Sequence, residues 1–271
     1  MPNNKDEVLT LQDRVNEFLL KNRKMILTLV AVVAILVVAL AFYFSFASKM
    51  KSDEIASVEK ILFDLNKDKE DIEKKKKEAE ANKKKEEENE INEIGNEEHS
   101  EKVKENNDIE KKDDEEKQDP EILKREDEAI PELEKLGISS SGYASYLAFY
   151  NLADMSFSRK DYAKAKDYYL KALQALPNSY VTGVILFNVG VCLEEMKEDN
   201  AEILSYYEKA SNVENFPLKP RAIFNVARLQ EKMEKYDEAI ATYNSLIEKY
   251  PDDDFAMIGK SRVIALGIKN K

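Results

Sequence analysis

Apolar residues are arranged in three different ways along the chain. Residues 25–48 form an uninterrupted apolar run of 24 residues without a charge, bounded by Lys24 and Lys49. A shorter stretch that follows has apolar residues at heptad spacing. Beyond Ile138 the apolar residues recur three and four positions apart, as in amphipathic helices. The pattern predicts an all-α protein with one wholly apolar helix, an amphipathic stalk and a C-terminal helical domain.

The apolar run has the length of a membrane span. At 1.5 Å per residue it would extend roughly 36 Å, which exceeds a hydrocarbon core of ~30 Å. A helix in a soluble core keeps a polar stripe, which this run lacks. A cleaved signal peptide is the alternative, because residues 45–47 read small-x-small. Basic residues crowd the N-terminal flank, which predicts a cytoplasmic tail over residues 1–24 and the rest of the chain outside.

A charged helical stalk is predicted over residues 49–95. Its first part carries apolar residues at heptad a and d positions, which are Ile55, Val58, Leu62, Leu65 and Ile72. Lys69 and Lys76 interrupt that series at a positions. Such a short stripe favours at most weak self-association through the stalk.

Charge is concentrated between the stalk and the C-terminal domain. The chain has a formal net charge of -12, and residues 66–120 hold 22 acidic against 14 basic residues. Residues 96–120 show no hydrophobic period, which predicts a disordered acidic linker, and residues 121–138 form a connecting helix. The basic runs are interleaved with acids and lack aromatic residues, which argues against nucleic-acid binding.

A repeat organises the C-terminal region. The tetrads YNLA, FNVG and FNVA place Asn151, Asn188 and Asn225 in two equal steps of 37 residues. A tyrosine follows each tetrad 18 or 19 residues later. Each copy therefore predicts two amphipathic helices, with a small residue at Ala165 or Ala239 where they approach closely. Such hairpins bury their apolar faces only by stacking.

At these residues the chain resembles the tetratricopeptide repeat (TPR) family. Copy one matches the family pattern at Phe149, Leu152, Ala153, Tyr162, Ala165, Tyr169, Ala172 and Pro177. Copy three matches at Val226, Ala227, Tyr236, Ala239, Tyr243 and Pro251. Copy two is degenerate, with Ile203 at the small position and an extra residue in its turn. The resemblance implies a TPR domain over residues 139–271, with three repeats and a capping helix over residues 255–268.

The chain lacks the residues of common catalytic sites. It contains one histidine, His99, and one cysteine, Cys192, so no catalytic triad or metal cluster can be assembled from them. No glycine-rich phosphate loop is present in the sequence. The sequence predicts no enzyme activity, no metal and no cofactor.

The family resemblance implies a binding groove lined by the first helix of each repeat. Carried over by position, the groove residues are Tyr150, Asp154, Phe187, Arg221, Phe224 and Arg228. Aromatic rings would supply contact area to a protein or peptide, and the arginines would pair with a carboxylate. Packing between repeats is the alternative role for the aromatic residues. The three tetrad asparagines are expected to be structural.

These expectations together describe a single-pass membrane protein that acts as a TPR scaffold or adaptor. Its layout resembles the membrane-anchored ancillary TPR subunit of the bacterial Sec translocon and related envelope TPR proteins. This resemblance implies a bacterial inner-membrane location and a role in envelope protein translocation or assembly. Two alternatives remain: an organelle import-type receptor with cytosolic repeats, and an anchored regulator of an envelope enzyme.

Overall fold

The computed structural model describes residues 11–94 and 119–269 of the chain, and their regular structure is entirely helical. The predicted all-α class is confirmed. Most of the predicted acidic linker, residues 96–118, lies outside the described residues, as does His99. The ten described helices are α1 (Leu11–Lys21), α2 (Arg23–Ile94), α3 (Pro120–Ser139), α4 (Tyr143–Ser158), α5 (Tyr162–Ala175), α6 (Thr182–Glu195), α7 (Asn200–Asn212), α8 (Lys219–Lys232), α9 (Tyr236–Lys249) and α10 (Asp254–Lys269).

The chain divides into two compact units, Met1–Asp53 and Glu54–Lys271. The first unit contains α1 and the apolar beginning of α2. That part of α2 is long and apolar enough to cross a membrane, and none of its most apolar window is buried. Apolar side chains exposed around the whole helix are typical of a membrane span or of a signal sequence, and not of a soluble core helix.

Three helical hairpins form the centre of the second unit. They consist of α4 with α5, α6 with α7, and α8 with α9, and each hairpin packs on the next through α5–α6 and α7–α8 contacts. Helix α10 packs on α9 and α8. The turns within the first and third hairpins have three residues and the turn within the second has four. The extra residue predicted for copy two is therefore present.

The period of 37 residues is also a period of the backbone. Lys160, Lys197 and Glu234 each adopt a left-handed conformation with φ near +60° in the turns within the hairpins. Asn178 and Asn215 do the same in the turns between hairpins. Each turn residue lies 37 positions from its equivalent in the neighbouring copy. Left-handed residues end helices sharply, so the same reversal of direction is repeated in every copy.

The last residue of each tetrad is small because it lies against the second helix. Ala153 and Ala227 are fully buried. At Gly190, a Cβ atom would lie 2.9 Å from the ring of Tyr207 on α7, which is closer than carbon atoms tolerate. The second-helix alanines Ala165 and Ala239 are also fully buried. Both small positions therefore permit the close helix packing that the repeat requires.

Each tetrad asparagine makes a hydrogen bond with a different kind of partner. Asn151 Nδ2 donates to the carbonyl oxygen of Leu147 at 2.8 Å. Asn188 shares a hydrogen bond with the Tyr150 hydroxyl of the preceding copy. Asn225 Oδ1 accepts a long hydrogen bond of 3.4 Å from Arg228. These contacts agree with a structural role.

The stalk packs against the repeats, although its sequence predicted a separate element. Val58 and Leu65 of α2 are buried in the same apolar core as Leu133 of α3 and the first hairpins. Ile72 is also buried, with 7% exposed. A heptad stripe has the same appearance whether a second chain or the chain's own helices cover it. Because α3 and the first copy cover this one, it is not available for the weak self-association that was expected.

A buried carboxylate connects the stalk to the repeats. Glu126 of α3 is 2% exposed. Its Oε1 accepts a hydrogen bond of 2.6 Å from Lys69 of α2. Its Oε2 accepts one of 2.9 Å from Arg159, directly after α4. Arg159 also pairs with Asp127 at 2.6 Å. We call these four residues the Glu126 cluster; it joins α2, α3 and the first repeat.

Candidate functional site

The six predicted groove residues all lie on first helices of the hairpins. Tyr150 and Asp154 are on α4, Phe187 is on α6, and Arg221, Phe224 and Arg228 are on α8. The structure brings Tyr150 together with Asp154, and Phe224 together with Arg228. The aromatic row that was expected to run through all three copies is interrupted in the middle.

The copy-one pair is built around a hydroxyl and a carboxylate. The Tyr150 ring is half-buried and lies 5.6 Å from the Tyr146 ring and 5.7 Å from the Tyr169 ring. The Tyr169 hydroxyl donates to Asp154 Oδ1 at 2.5 Å. Desolvation raises the pKa of Asp154 above its ordinary value, and the Tyr169 hydrogen bond only partly opposes this rise. A cation bound beside Asp154 would oppose this rise, because it favours the charged form of the carboxyl group.

Phe187 does not line an open surface, which corrects the prediction for copy two. Only 3% of it is exposed. Its ring packs 5.3 Å from Tyr207 and 6.2 Å from Phe216. Phe216 can reach this position because Gly183 lacks a side chain; a Cβ there would lie 2.6 Å from the Phe216 ring. The alternative interpretation, packing between repeats, is therefore the one that fits Phe187.

Arg221 covers the buried Phe187 ring from outside. Its guanidinium carbon lies 5.2 Å from the ring centroid, within the range of a cation–π contact. Arg221 itself is exposed. It therefore remains available at the surface between copies two and three, although the ring beneath it is not.

Copy three forms an open pocket against the last helix. The pocket has a volume of about 450 Å³, and its lining residues are Phe224, Arg228, Glu231, Lys232, Tyr243 and Arg262. The half-buried Phe224 ring lies 5.6 Å from Tyr243 and 5.4 Å from Phe255 of α10. We call this the copy-three pocket. It combines an aromatic floor with charged groups at its rim.

A ladder of tyrosine, acid and arginine residues connects successive copies, and sequence reasoning did not find it. Glu194 Oε2 accepts a hydrogen bond of 3.0 Å from the Tyr207 hydroxyl and one of 2.7 Å from Arg228 of the next copy. One copy later, Glu231 pairs with Arg262 of α10 and accepts a long hydrogen bond from Tyr243. The signal in the sequence was present, because Glu194 and Glu231 are 37 residues apart.

The ladder changes the role expected of Arg228. Desolvation alone would raise the pKa of Glu194, but the hydrogen bond and charge of Arg228 outweigh it and hold that pKa below its ordinary value. The Arg228 guanidinium is thus already paired within the protein. Its carboxylate partner is Glu194 and no external acid is needed to balance its charge.

The described part of the chain offers no metal site and no reactive thiol. No group of three or more His, Cys, Asp or Glu residues there is arranged to hold a metal ion. Cys192 is fully buried on α6, and desolvation raises the pKa of its thiol to about 12. A thiol in this environment stays protonated at neutral pH and packs as a small apolar side chain.

Comparison with known proteins identifies the repeats. Residues 146–179 and 221–253 match models of the tetratricopeptide repeat, which correspond to copies one and three. The chain is 36% identical over 149 residues to a TPR repeat-containing protein of Treponema pallidum (strain Nichols), covering 54% of this chain. The match spans 62% of the length of that relative. The chain therefore contains tetratricopeptide repeats, as the resemblance of its tetrads predicted.

Two of the solved structures to which the chain is similar are TPR domains. The chain matches the TPR domain of Arabidopsis OM64 with a TM-score of 0.38 and 16% identity, over 44% of this chain and 94% of that one. It matches the TPR domain of Sgt2 from Aspergillus fumigatus with a TM-score of 0.38 and 20% identity, over 48% and 81% of the two chains. Repeats of this kind form protein-binding scaffolds.

Proposed function

We propose that this protein is a membrane-anchored adaptor whose copy-three pocket binds an extended segment of a partner protein. One observation carries the proposal: Phe224 remains half-buried in an open pocket while Phe187, its equivalent one copy earlier, is covered. A half-exposed aromatic ring beside charged groups is typical of a protein interaction site.

The charges around the pocket indicate the chemistry of the partner. Arg228 and Arg262 are paired with Glu194 and Glu231, whereas Lys232 lies exposed at the rim. A carboxylate of the partner would therefore pair with Lys232, and a neighbouring apolar side chain of the partner would pack on the Phe224 ring. At the copy-one end, the exposed carboxylate of Asp154 would attract a basic residue of the partner. The groove thus suits a peptide with an acidic residue at one end and a basic residue at the other.

We propose that the apolar part of α2 anchors this scaffold in a membrane. The apolar part of α2 supports a single span, and the basic N-terminal flank supports a cytoplasmic N-terminus with the repeats on the opposite side. This arrangement fits a role in bacterial envelope protein translocation or assembly. Repeats on the cytosolic side would instead fit the import-type receptor.

Thiol labelling in intact cells tests the orientation. Ser139 is exposed, so Ser139→Cys supplies a reactive site, while the native Cys192 is buried and protonated. We expect a membrane-impermeant maleimide to label Ser139→Cys in intact cells and to leave the wild type unlabelled. Labelling only after lysis would place the repeats in the cytoplasm and contradict the proposed orientation.

Site-specific photo-crosslinking tests the pocket. A photoreactive amino acid at Lys232 of the full-length chain, in its own membrane, should yield partner adducts. The same substitution at Lys209, exposed on α7 outside the pocket, is the matched control. Lys232→Glu should remove partner capture without changing the melting temperature, because Lys232 is exposed. Equal adduct yields at the two positions would contradict the proposed site.

A further inference from the structure

The outward side of the last helix is apolar, although a terminal helix in a repeat array is expected to be polar there. Four large apolar side chains of α10 are exposed: Met257 by 53%, Ile258 by 46%, Ile264 by 65% and Ile268 by 72%. Helical spacing places them on one face together with Ser261 and Ala265, which are also exposed. We call these six residues the α10 stripe.

The opposite side of α10 is already used by the repeats. Ala256 and Leu266 are buried against the third copy. A Cβ at Gly259 would lie 3.3 Å from the Tyr243 ring on α9, so this glycine marks the close contact. A helix that is apolar on both sides is normally covered on both sides. Within the described residues, no other helix covers the outward side of α10.

We propose that the α10 stripe is the interface of a symmetric homodimer, in which α10 of a second copy packs antiparallel on it. Two antiparallel α10 helices recreate the two-helix layer that α4–α5, α6–α7 and α8–α9 each form within the chain. A twofold axis near the middle of the stripe brings Ser261 of one chain opposite Ala265 of the other, and Ile258 opposite Ile268. Such an interface needs only this one patch of surface.

The side chains at the centre and ends of the stripe favour this occupant. Ser261 and Ala265 are small and central, so two helices can approach closely there, with larger side chains on either side. The sequence places three acids, residues 252–254, before the stripe and Lys269 after it. Antiparallel pairing sets the acidic end of each helix beside the basic end of the other, and opposes the two helix dipoles. Parallel pairing would bring the two acidic ends together.

The stalk does not offer a competing interface of this kind. Its apolar residues Val58, Leu65 and Ile72 are covered by the chain's own helices, whereas the α10 stripe is open. The proposal is independent of the copy-three pocket, because Lys232 and Phe224 are not part of the stripe. A failure of partner capture would leave the dimer unaffected.

Sedimentation equilibrium of the full-length chain in nanodiscs or detergent micelles measures the association. We expect the wild type to dimerise and Ile264→Glu to raise the dimer dissociation constant by about 100-fold or more, because each dimer loses two buried isoleucines. Ile138→Glu is the matched control, since Ile138 is 76% exposed on α3, outside the stripe. It should leave the dissociation constant unchanged. Circular dichroism should show all three proteins equally helical.

Disulfide trapping tests the orientation of the two helices. Chains with Ser261→Cys and chains with Ala265→Cys, carrying different tags, should form the mixed disulfide faster than either forms its own. A wild type that stays monomeric would overturn the proposal. This outcome is also the one expected if a helix of another protein covers the stripe. The proposal would also be overturned if Ile264→Glu and Ile138→Glu had the same dissociation constant, or if the mixed disulfide were not favoured.

Discussion

Glu126→Gln should separate the stalk from the first repeat. In the Glu126 cluster this carboxylate is 2% exposed and faces both Lys69 and Arg159. Removing one partner of a fully buried ion pair typically costs ~3–5 kcal/mol. Here the side chains of Lys69 and Arg159 are 29% and 24% exposed to solvent, so water compensates part of the loss. We therefore expect a destabilisation of about 2–3 kcal/mol, below the fully buried case.

Two measurements on the full-length protein check this value. Urea denaturation followed by circular dichroism gives the change in free energy of unfolding. Hydrogen exchange over residues 54–76 shows whether the stalk amides open more often in the variant. The matched control is Asp127→Asn, because Asp127 binds the same arginine but is 65% exposed. An exposed ion pair contributes only ~0–1 kcal/mol.

If Glu126→Gln destabilises the protein no more than Asp127→Asn does, the buried carboxylate does not stabilise the docked stalk. In that case burial of Val58 and Leu65 would hold the stalk without help from the buried charge. An increase in hydrogen exchange limited to the stalk would show that docking and folding of the repeats are separable. An increase throughout residues 119–269 would show that they are one cooperative unit.

Five further substitutions have expected effects on stability that differ in sign. Gly183→Ala should lower the melting temperature, with a loss of ~1–3 kcal/mol, because its Cβ would lie within 2.6 Å of a buried aromatic ring. Gly267→Ala, with nothing within 4 Å, should raise it instead. Lys197→Gly should raise stability by up to about 1 kcal/mol, because φ is +59° there and glycine adopts such a φ readily. A thermal melt that shows a loss of stability of the same size would contradict this. The pKa of Glu194 is lowered, so its contribution is present above pH 4.5 and is lost as the pH falls through the folded value. The pKa of Asp154 is raised, so its contribution is greatest below pH 3.8 and is lost as the pH rises. At pH 7, urea denaturation should therefore show Glu194→Gln less stable and Asp154→Asn more stable than the wild type; the opposite order would contradict both signs.

The hairpin array was predictable because its signals are local and repeated. The tetrads and the tyrosines that follow them fix the two helices of each copy, and in copies one and three the alanines Ala165 and Ala239 mark where those helices touch. The left-handed turn residues were not predictable in the same way. Lys160, Lys197 and Glu234 occupy positions where glycine would have been the usual sign. Their regular spacing becomes visible only when the backbone is known.

The contacts that sequence reasoning missed join residues far apart in the chain. Lys69 and Glu126 are 57 residues apart, and Arg228 and Glu194 are 34 residues apart. Neither pair belongs to a local pattern. The 37-residue spacing of Glu194 and Glu231 marks the repeated acid, but not the base that it meets, because Arg228 and Arg262 are 34 residues apart. The sequence did not show that Phe187 is covered. Phe216, which covers it, lies in the irregular connection before α8 and outside the repeat pattern.

The recurrence of left-handed turn residues makes the array modular at the level of the backbone. Asn178 and Asn215 have φ values of +55° and +56° and lie 37 residues apart. Removing residues 179–215 would join Asn178 directly to Phe216, so the chain would enter α8 from the same backbone conformation as before. Copy three would then follow copy one, and α8 would take the place of α6 against α5. The chain can therefore be shortened by one whole period without creating a new kind of turn.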